Sequence, residues 1–251
     1  VIPEILAQYL PQELKKPVVE TTANCNDCYK TKKTSPAPHF DPVSKCCTYY
    51  PHIPNFLVGA LLENPLKYPL FHAQFKKLVL NKEYVLPVGV CAPAHYQYLY
   101  NKKEWYDFGN RPDLICPFYI PQGGLCGVWE FRSHECATFY CVSDHGKKGE
   151  EHWTKVRDHL HIIELTISQE AILQMGYSDE ELDHIISYIR MDPQGLDKKH
   201  PAQLETMEWT QVWGHHMDDI AGFFKSTYHW AQKNQSFLAK QITKNFQTLH
   251  P

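Results

Sequence analysis

Apolar residues in the C-terminal half recur at three- and four-residue spacing, the period of one face of an α-helix. In "SDEELDHIISYIR" Leu182, Ile185, Ile186 and Ile189 form such a stripe, and Ser178 stands three residues before Glu181. That pair is a capping box, so a helix is predicted to open there and to bury the four apolar side chains. "MDPQGLDKKHP", residues 191–201, then breaks the pattern with Pro, Gly and charge. Beyond Pro201 the positions Met207, Trp209, Val212, Trp213, Ile220, Phe223, Phe224 and Tyr228 return to helical spacing. They predict two helices broken near Gly214, or one long kinked helix.

The first half is patterned differently. Residues 1–50 are rich in Pro, Thr, Asn and Lys without a regular period, and "KTKKTSPAPHFDPVSK" in particular predicts an irregular arm. From Pro54, "PNFLVGALLEN" places Phe56, Gly59, Ala60 and Glu63 on one helical arc and Leu57, Ala60 and Leu61 on another. A short, mostly buried helix is expected, followed by a second one carrying Phe71, Phe75 and Leu78. Between Tyr84 and Tyr119, aromatic and β-branched residues broken by Pro and Gly predict short strands and loops. No internal repeat at solenoid spacing is present.

Composition narrows the classes. A chain of 251 residues that is 43% hydrophobic can bury a large core. Its formal charge of -3 offers no basic field for nucleic acid or an anionic membrane, although 15 histidines make that charge sensitive to pH. No apolar run approaches the roughly 20 residues of a membrane-spanning helix, and "VIPEILAQYLPQELKKP" lacks the apolar centre of a secretion signal. A soluble, cytoplasmic protein is expected, with no nucleic-acid partner and no membrane span. The chain starts at Val1 and not at Met, as would one from which a leading segment had been removed.

The cysteines change the picture most. All nine lie between Cys25 and Cys141, and the last 110 residues contain none. Disulfides, packed thiols, zinc and an iron-sulfur cluster compete as explanations. Disulfides suit short secreted chains, whereas this chain is long and its thiol count is odd. Cys25 and Cys28 sit in polar "TTANCNDCYKTKK", where there is no core for a thiol to join, so a metal is the better reading. Vicinal Cys46 and Cys47 point in different directions; they serve one cluster from a tight loop, or two separate sites. Cys116, Cys126, Cys136 and Cys141 follow at long, uneven gaps. A zinc ribbon needs two C-x2-C knuckles and only one is present, while a cluster larger than a single ion collects ligands from separate loops. Apolar "PVGVCAPAHY" suggests that Cys91 is a packed thiol.

"CPFYIPQGGLCGVWEFRSHEC" resembles the core pattern of the YkgJ-like cysteine-cluster family, described as zinc- or iron-chelating. The resemblance rests on Cys116, Pro117, Phe118, Cys126, Trp129, Arg132 and Cys136, with Cys25, Cys28, Cys46 and Cys47 matching the family's upstream thiols. The chain departs from the pattern in the 17 residues between Cys28 and Cys46, and in Arg132-Ser133 where Arg-Pro is usual. The resemblance spans residues 25 to 141 and implies metal ligation by eight cysteines: Cys25, Cys28, Cys46, Cys47, Cys116, Cys126, Cys136 and Cys141. They suffice for one or two [4Fe-4S] clusters, or for one cluster and one zinc.

Other residues are candidates for support. Arg132 is expected either to stabilise a net-negative cluster or to form a surface salt bridge. Gly123, Gly124 and Gly127 are expected to let the backbone approach the metal and to donate N–H groups to sulfur; no phosphate-loop pattern surrounds them. In "WGHHMDD", His215 shares a helix face with Asp218 or Asp219, as two legs of a non-haem metal site would, but a solvated polar face is the simpler expectation. His52, His159 and His161 are read in the same way. The aromatic run "HYQYLYNKKEWYDF" is expected to pack around the metal site.

The expected fold is therefore an α-rich α+β protein. A cysteine-rich metal-binding part, residues 1–145, would pack as one unit on a helical bundle, residues 146–251. The expected function is iron-sulfur electron transfer or redox chemistry with a redox partner protein. A zinc-stabilised interaction module is the alternative. A cluster-dependent modifying enzyme is a third class, because flagellin lysine methylases resemble the same family; the chain shows neither a glycine-rich loop for S-adenosylmethionine nor the C-x3-C-x2-C spacing of radical enzymes.

Overall fold

A computed structural model describes residues 1–16, 18–32, 39–189 and 202–249. The chain opens with one helical turn, α1 (Glu4–Ala7), and Leu6 and Leu10 are buried in the main core. The start of the supposed arm is thus part of the body, because two leucines four apart give it an apolar contact. Among the described residues, 18–50 hold no regular element beyond a 3-10 turn at Tyr29–Thr31.

Strand β1 (Ile53–Pro54) leads directly into α2 (Asn55–Leu62), every residue of which is buried. The sequence lacks a polar face here because the helix meets protein on all sides. Asn55 satisfies its buried amide by donating to the carbonyls of Pro87 (3.0 Å) and Ser168 (3.1 Å). Helix α3 (Pro69–Leu80) starts at a proline and buries Phe71, Phe75 and Leu78, as its period predicts. Strands β2 (Val85–Leu86) and β3 (Gly89–Val90) complete an antiparallel sheet of order β1-β3-β2, with Val90 opposite both Ile53 and Val85.

One expectation fails in this region. The segment read as strands and loops contains a helix, α4 (Ala94–Asn101). Its tyrosines favour strand by propensity, but at helical spacing Tyr96 stacks on Tyr100 (ring centroids 6.1 Å apart), and these rings reach Tyr50 and Tyr49. Tertiary stacking outweighs local preference. The hairpin β4 (Tyr119–Ile120) and β5 (Leu125–Cys126) follows, then α5 (His134–Thr138).

The second half is helical: α6 (Gly146–Gln174), α7 (Asp179–Ser187), α8 (Thr206–Trp213), α9 (Ile220–Lys233) and α10 (Gln235–Leu249). The capping box of α7 is present, Ser178 N–H donating to Glu181 at 2.8 Å and Glu181 N–H to Ser178 Oγ at 3.2 Å. Leu182 and Ile185 are buried, while Ile186 and Ile189 are only partly so. The expected break at 191–201 lies outside the described residues. Gly214, at φ +46°, stops α8, and a 3-10 turn at Gly214–Asp219 leads into α9, so the two-helix reading holds. Met207 does not join the apolar stripe: it is 81% exposed on the first turn of α8, while Trp209, Val212 and Trp213 face inward. Helix α9 crosses α2 closely at Gly59, where an added Cβ would stand 2.0 Å from the Phe224 carbonyl oxygen. One contiguous core runs from Leu6 to Ile242 and draws on both halves of this helix-rich α+β chain. Among the described residues, no helix is long and apolar enough to cross a membrane.

Candidate metal centre

Eight cysteines come from three stretches of chain. Cys25 and Cys28 lie on the irregular arm, Cys46 and Cys47 just before β1, and Cys116, Cys126, Cys136 and Cys141 around the β4–β5 hairpin and α5. All nine cysteines carry free thiols. Cys91, after β3, stands apart: it is fully buried, its thiol points to the Gly89 carbonyl (3.7 Å), and burial raises its pKa. It behaves as the packed thiol expected.

The other eight are linked to one another through electrostatic influence. Burial pushes the Cys116 thiol well up, and Cys136 and Cys126 add to the shift. Cys136 is held at about 12 by burial, then by Cys126, with Cys46 contributing. Cys141 is raised to about 11 by burial and by Cys28, Cys46 and Cys25. Cys25 is raised by burial and then by Cys46, whereas Cys46 is raised first by its hydrogen bond with Cys47. Metal-free, such thiols are protonated at neutral pH, so a metal binding here must displace protons. Among the described residues, no group of three or more His, Cys, Asp or Glu side chains stands in a metal-holding arrangement. The thiols are gathered, and not closed on a common centre.

Arg132 is the cation that several of these cysteines share; Lys45 acts on Cys25 and Lys30 on Cys141 as well. It opposes the upward shifts of Cys25, Cys46, Cys126 and Cys136, stacks on Trp129 at 3.8 Å, and makes no carboxylate ion pair among the described residues. The surface salt bridge is therefore the reading to drop. Its Nε, and the neighbouring Ser133 Oγ, are buried without a hydrogen-bond partner. Orphaned donors beside a set of thiols suit an anionic, sulfur-ligated group. The residues fit such a group in chemistry.

The glycines contribute less than expected. Gly127 N–H donates to the Phe118 carbonyl (2.9 Å) and Gly124 N–H to that of Pro121 (3.2 Å), so both amides are taken by the hairpin and not by sulfur. Gly124, at φ +62°, and Gly123, at φ +88°, supply the left-handed turn instead.

A second cluster adjoins the thiols. Glu164, 3% exposed in the middle of α6, accepts from the His134 backbone N–H (2.7 Å) and pairs with His134 Nδ1 (2.6 Å). It thereby caps α5, whose own Ser133 makes no side-chain cap. Burial disfavours charge on His134, but hydrogen bonds to Glu135 and Glu164 outweigh it and raise the imidazole to about 9. The His161 ring lies 4.7 Å away, and His52 nearby is pulled down to about 4 by burial. His52 is thus not the solvated residue expected, whereas His161 is exposed, as expected. The missed signal was a carboxylate within the apolar run "HIIELTIS", on the buried face of a helix.

"WGHHMDD" matches its simple expectation in part: His215, Asp218 and Asp219 are exposed and Asp219 caps α9 through Gly222 N–H (2.8 Å), whereas His216 is partly buried against Tyr177 and Phe223 and meets the Met175 carbonyl (2.9 Å). A cavity of about 500 Å³ opens between α1, Tyr140 and Trp153, and no cysteine lines it. No family model, curated protein or solved structure matches this chain.

Proposed function

We propose that this chain is an iron-sulfur cluster protein acting in electron transfer or redox chemistry. Its cysteine-bearing part would hold the cluster against the helical bundle, and a redox partner protein would dock nearby. The observation that supports this reading is that Cys25, Cys46, Cys126 and Cys136, from three stretches of chain, all feel the Arg132 guanidinium, whose Nε is buried without a hydrogen-bond partner among the described residues. The resemblance of Cys116 to Cys136 to the YkgJ-like pattern supports it.

A bound cluster would supply one-electron capacity. The chain's own part is to hold thiolates from separate loops, to set a positive guanidinium beside a net-negative group, and to bury most of the sulfur. Purification without oxygen, with iron, zinc and acid-labile sulfide measured beside a visible spectrum, tests the proposal. Iron, sulfide and a brown colour are expected, and all three should fall in Cys126→Ser and Cys136→Ser. Zinc without sulfide would replace the redox reading with a structural one.

A further inference from the structure

Residues 18–32 cross the surface without joining the core. None of them is buried, and among the described residues no backbone–backbone hydrogen bond ties them to the rest of the chain. Those they make are local: Asn24 N–H to Thr22, Thr31 N–H to Cys28 and Lys32 N–H to Tyr29. Leu14, just before this stretch, packs against the core, whereas Val19 within it is 67% exposed. Hydrophobic burial therefore contributes little to holding the stretch down.

What holds it is a clasp made of two carboxylates exchanged across the contact. Glu20 reaches from the stretch to the body and accepts from Ser143 Oγ (2.7 Å), Asp144 N–H (2.6 Å) and Trp153 Nε1 (2.8 Å). Asp144 reaches back and accepts from Thr21 N–H (2.5 Å), Thr21 Oγ1 (2.6 Å) and Thr22 N–H (3.2 Å). His145 Nε2 meets the Val19 carbonyl (3.1 Å), and farther along Lys45 Nζ donates to the Cys25 carbonyl (2.7 Å). The body half is fixed. Ser143 sits so close to α6 that a Cβ added at Gly149 would stand 1.9 Å from its hydroxyl. Both carboxylates lie beside the start of α6, whose positive end favours them.

We propose that residues 18–32 form a strap that opens as a unit, with the core still folded, when the clasp of Glu20 and Asp144 lets go. The two halves support each other. Glu20 holds the Asp144 amide, and with it the turn from which the Asp144 carboxylate reaches Thr21 and Thr22; those bonds in turn hold Glu20 in place. Loss of either half releases the other, so the strap is either fastened or free. Cys25 is exposed and Cys28 half-buried in the fastened strap, and opening carries both away from the body. It also widens the cavity beside α1, which Val18 of the strap lines together with Tyr140 and Trp153. The clasp contains no thiol, so the strap stands or falls apart from the proposed cluster.

The test reads each half of the clasp from the other side. Amide hydrogen exchange is followed by NMR in the wild type, in Glu20→Ala and in Asp144→Ala. In the wild type the Thr21, Thr22 and Asp144 amides are expected to exchange faster than those of α2, which open only with the whole fold. Glu20→Ala leaves the acceptor of Thr21 and Thr22 in place, yet should speed both amides by about tenfold. Asp144→Ala leaves the Glu20 acceptor in place, yet should speed the amide at position 144 by a similar factor. The α2 amides should be unchanged in both variants. Amides that respond only to loss of their own acceptor would show independent contacts and overturn the strap. So would clasp amides that exchange no faster than α2 in the wild type, or α2 amides that follow the clasp in the variants.

Discussion

Replacing Glu164 by Gln removes a charge from a buried pair while keeping the shape of the side chain. His134 and Glu164 have side-chain exposures of only 13% and 4%, so solvent screens their interaction little. Burial opposes charge on His134, yet its pKa stands at about 9 against an ordinary 6.5. Each unit corresponds to ~1.4 kcal/mol, so the raised imidazolium contributes up to roughly 3 kcal/mol to folding, offset in part because burial of Glu164 raises its own pKa and disfavours its charged form. A group whose pKa is higher in the folded state contributes fully below its unfolded pKa and loses that contribution as the pH rises through the folded one. The gap between wild type and Glu164→Gln should therefore be on the order of 1–2 kcal/mol at pH 6, allowing for the Glu135 contact that survives and for the burial cost of the Glu164 carboxylate that the variant removes, and should close towards pH 9 to 10. Urea unfolding followed by circular dichroism at both pH values measures it, with metal content matched between samples. An NMR titration should show the His134 pKa falling in the variant. Equal unfolding midpoints at pH 6, or a gap that stays the same at both pH values, would refute this account of the pair.

Gly59→Ala should destabilise the fold by about 2 kcal/mol in thermal or urea unfolding despite its better helix propensity, because the added carbon would press on the Phe224 carbonyl and Tyr228 Cβ of α9. Arg132→Gln should lower the reduction potential of a bound cluster, on the order of 50 mV by redox titration, since a cation favours the more negative reduced state. The Glu20 and Asp144 carboxylates form a clasp with depressed pKa values: for Glu20 the cost of burial is outweighed by its three donors, and for Asp144 the donors are Thr21 and Thr22. Its contribution is thus complete above the ordinary carboxylate range and lost only as the pH falls below roughly 4, which NMR shifts of the Thr21 and Thr22 amides would report. His216→Ala should leave the metal content unchanged, and a lower content would bring the segment after α8 into the site.

What could be read from the sequence depended on the range of the forces involved. Helices α2, α3 and α7 are announced by period and caps, and the end of α8 by Gly214, because neighbours in the chain decide each of them. Helix α4 was hidden because its tyrosines are held by Tyr49 and Tyr50, more than 40 residues earlier. The length of α6 was not singled out, since its inward face mixes Val156, Leu160, Ile163 and Ile167 with buried Glu164, Thr166 and Ser168. The candidate thiols stood out by type and spacing. The ties between their segments did not, because the Asp144 N–H to Glu20 bond and the Cys116 N–H to Cys47 carbonyl bond join residues far apart in the chain. Glu164 and His134 likewise become partners only once α5 lies on α6.

The close crossing of α2 and α9 also sets an order of events during synthesis. Helix α2 has no polar face and is covered in part by Phe224 and its neighbours, which leave the ribosome some 160 residues later. Until then its apolar surface is open, and the β1–α2 segment, which begins six residues after Cys47, lacks its final support. Every cysteine has been made by that time, since the last is Cys141. The nascent chain therefore carries a full set of thiols through a long interval without a finished scaffold, exposed to oxidation and to stray metal, and loading of the proposed cluster would belong to the moments after the C-terminal helices have docked.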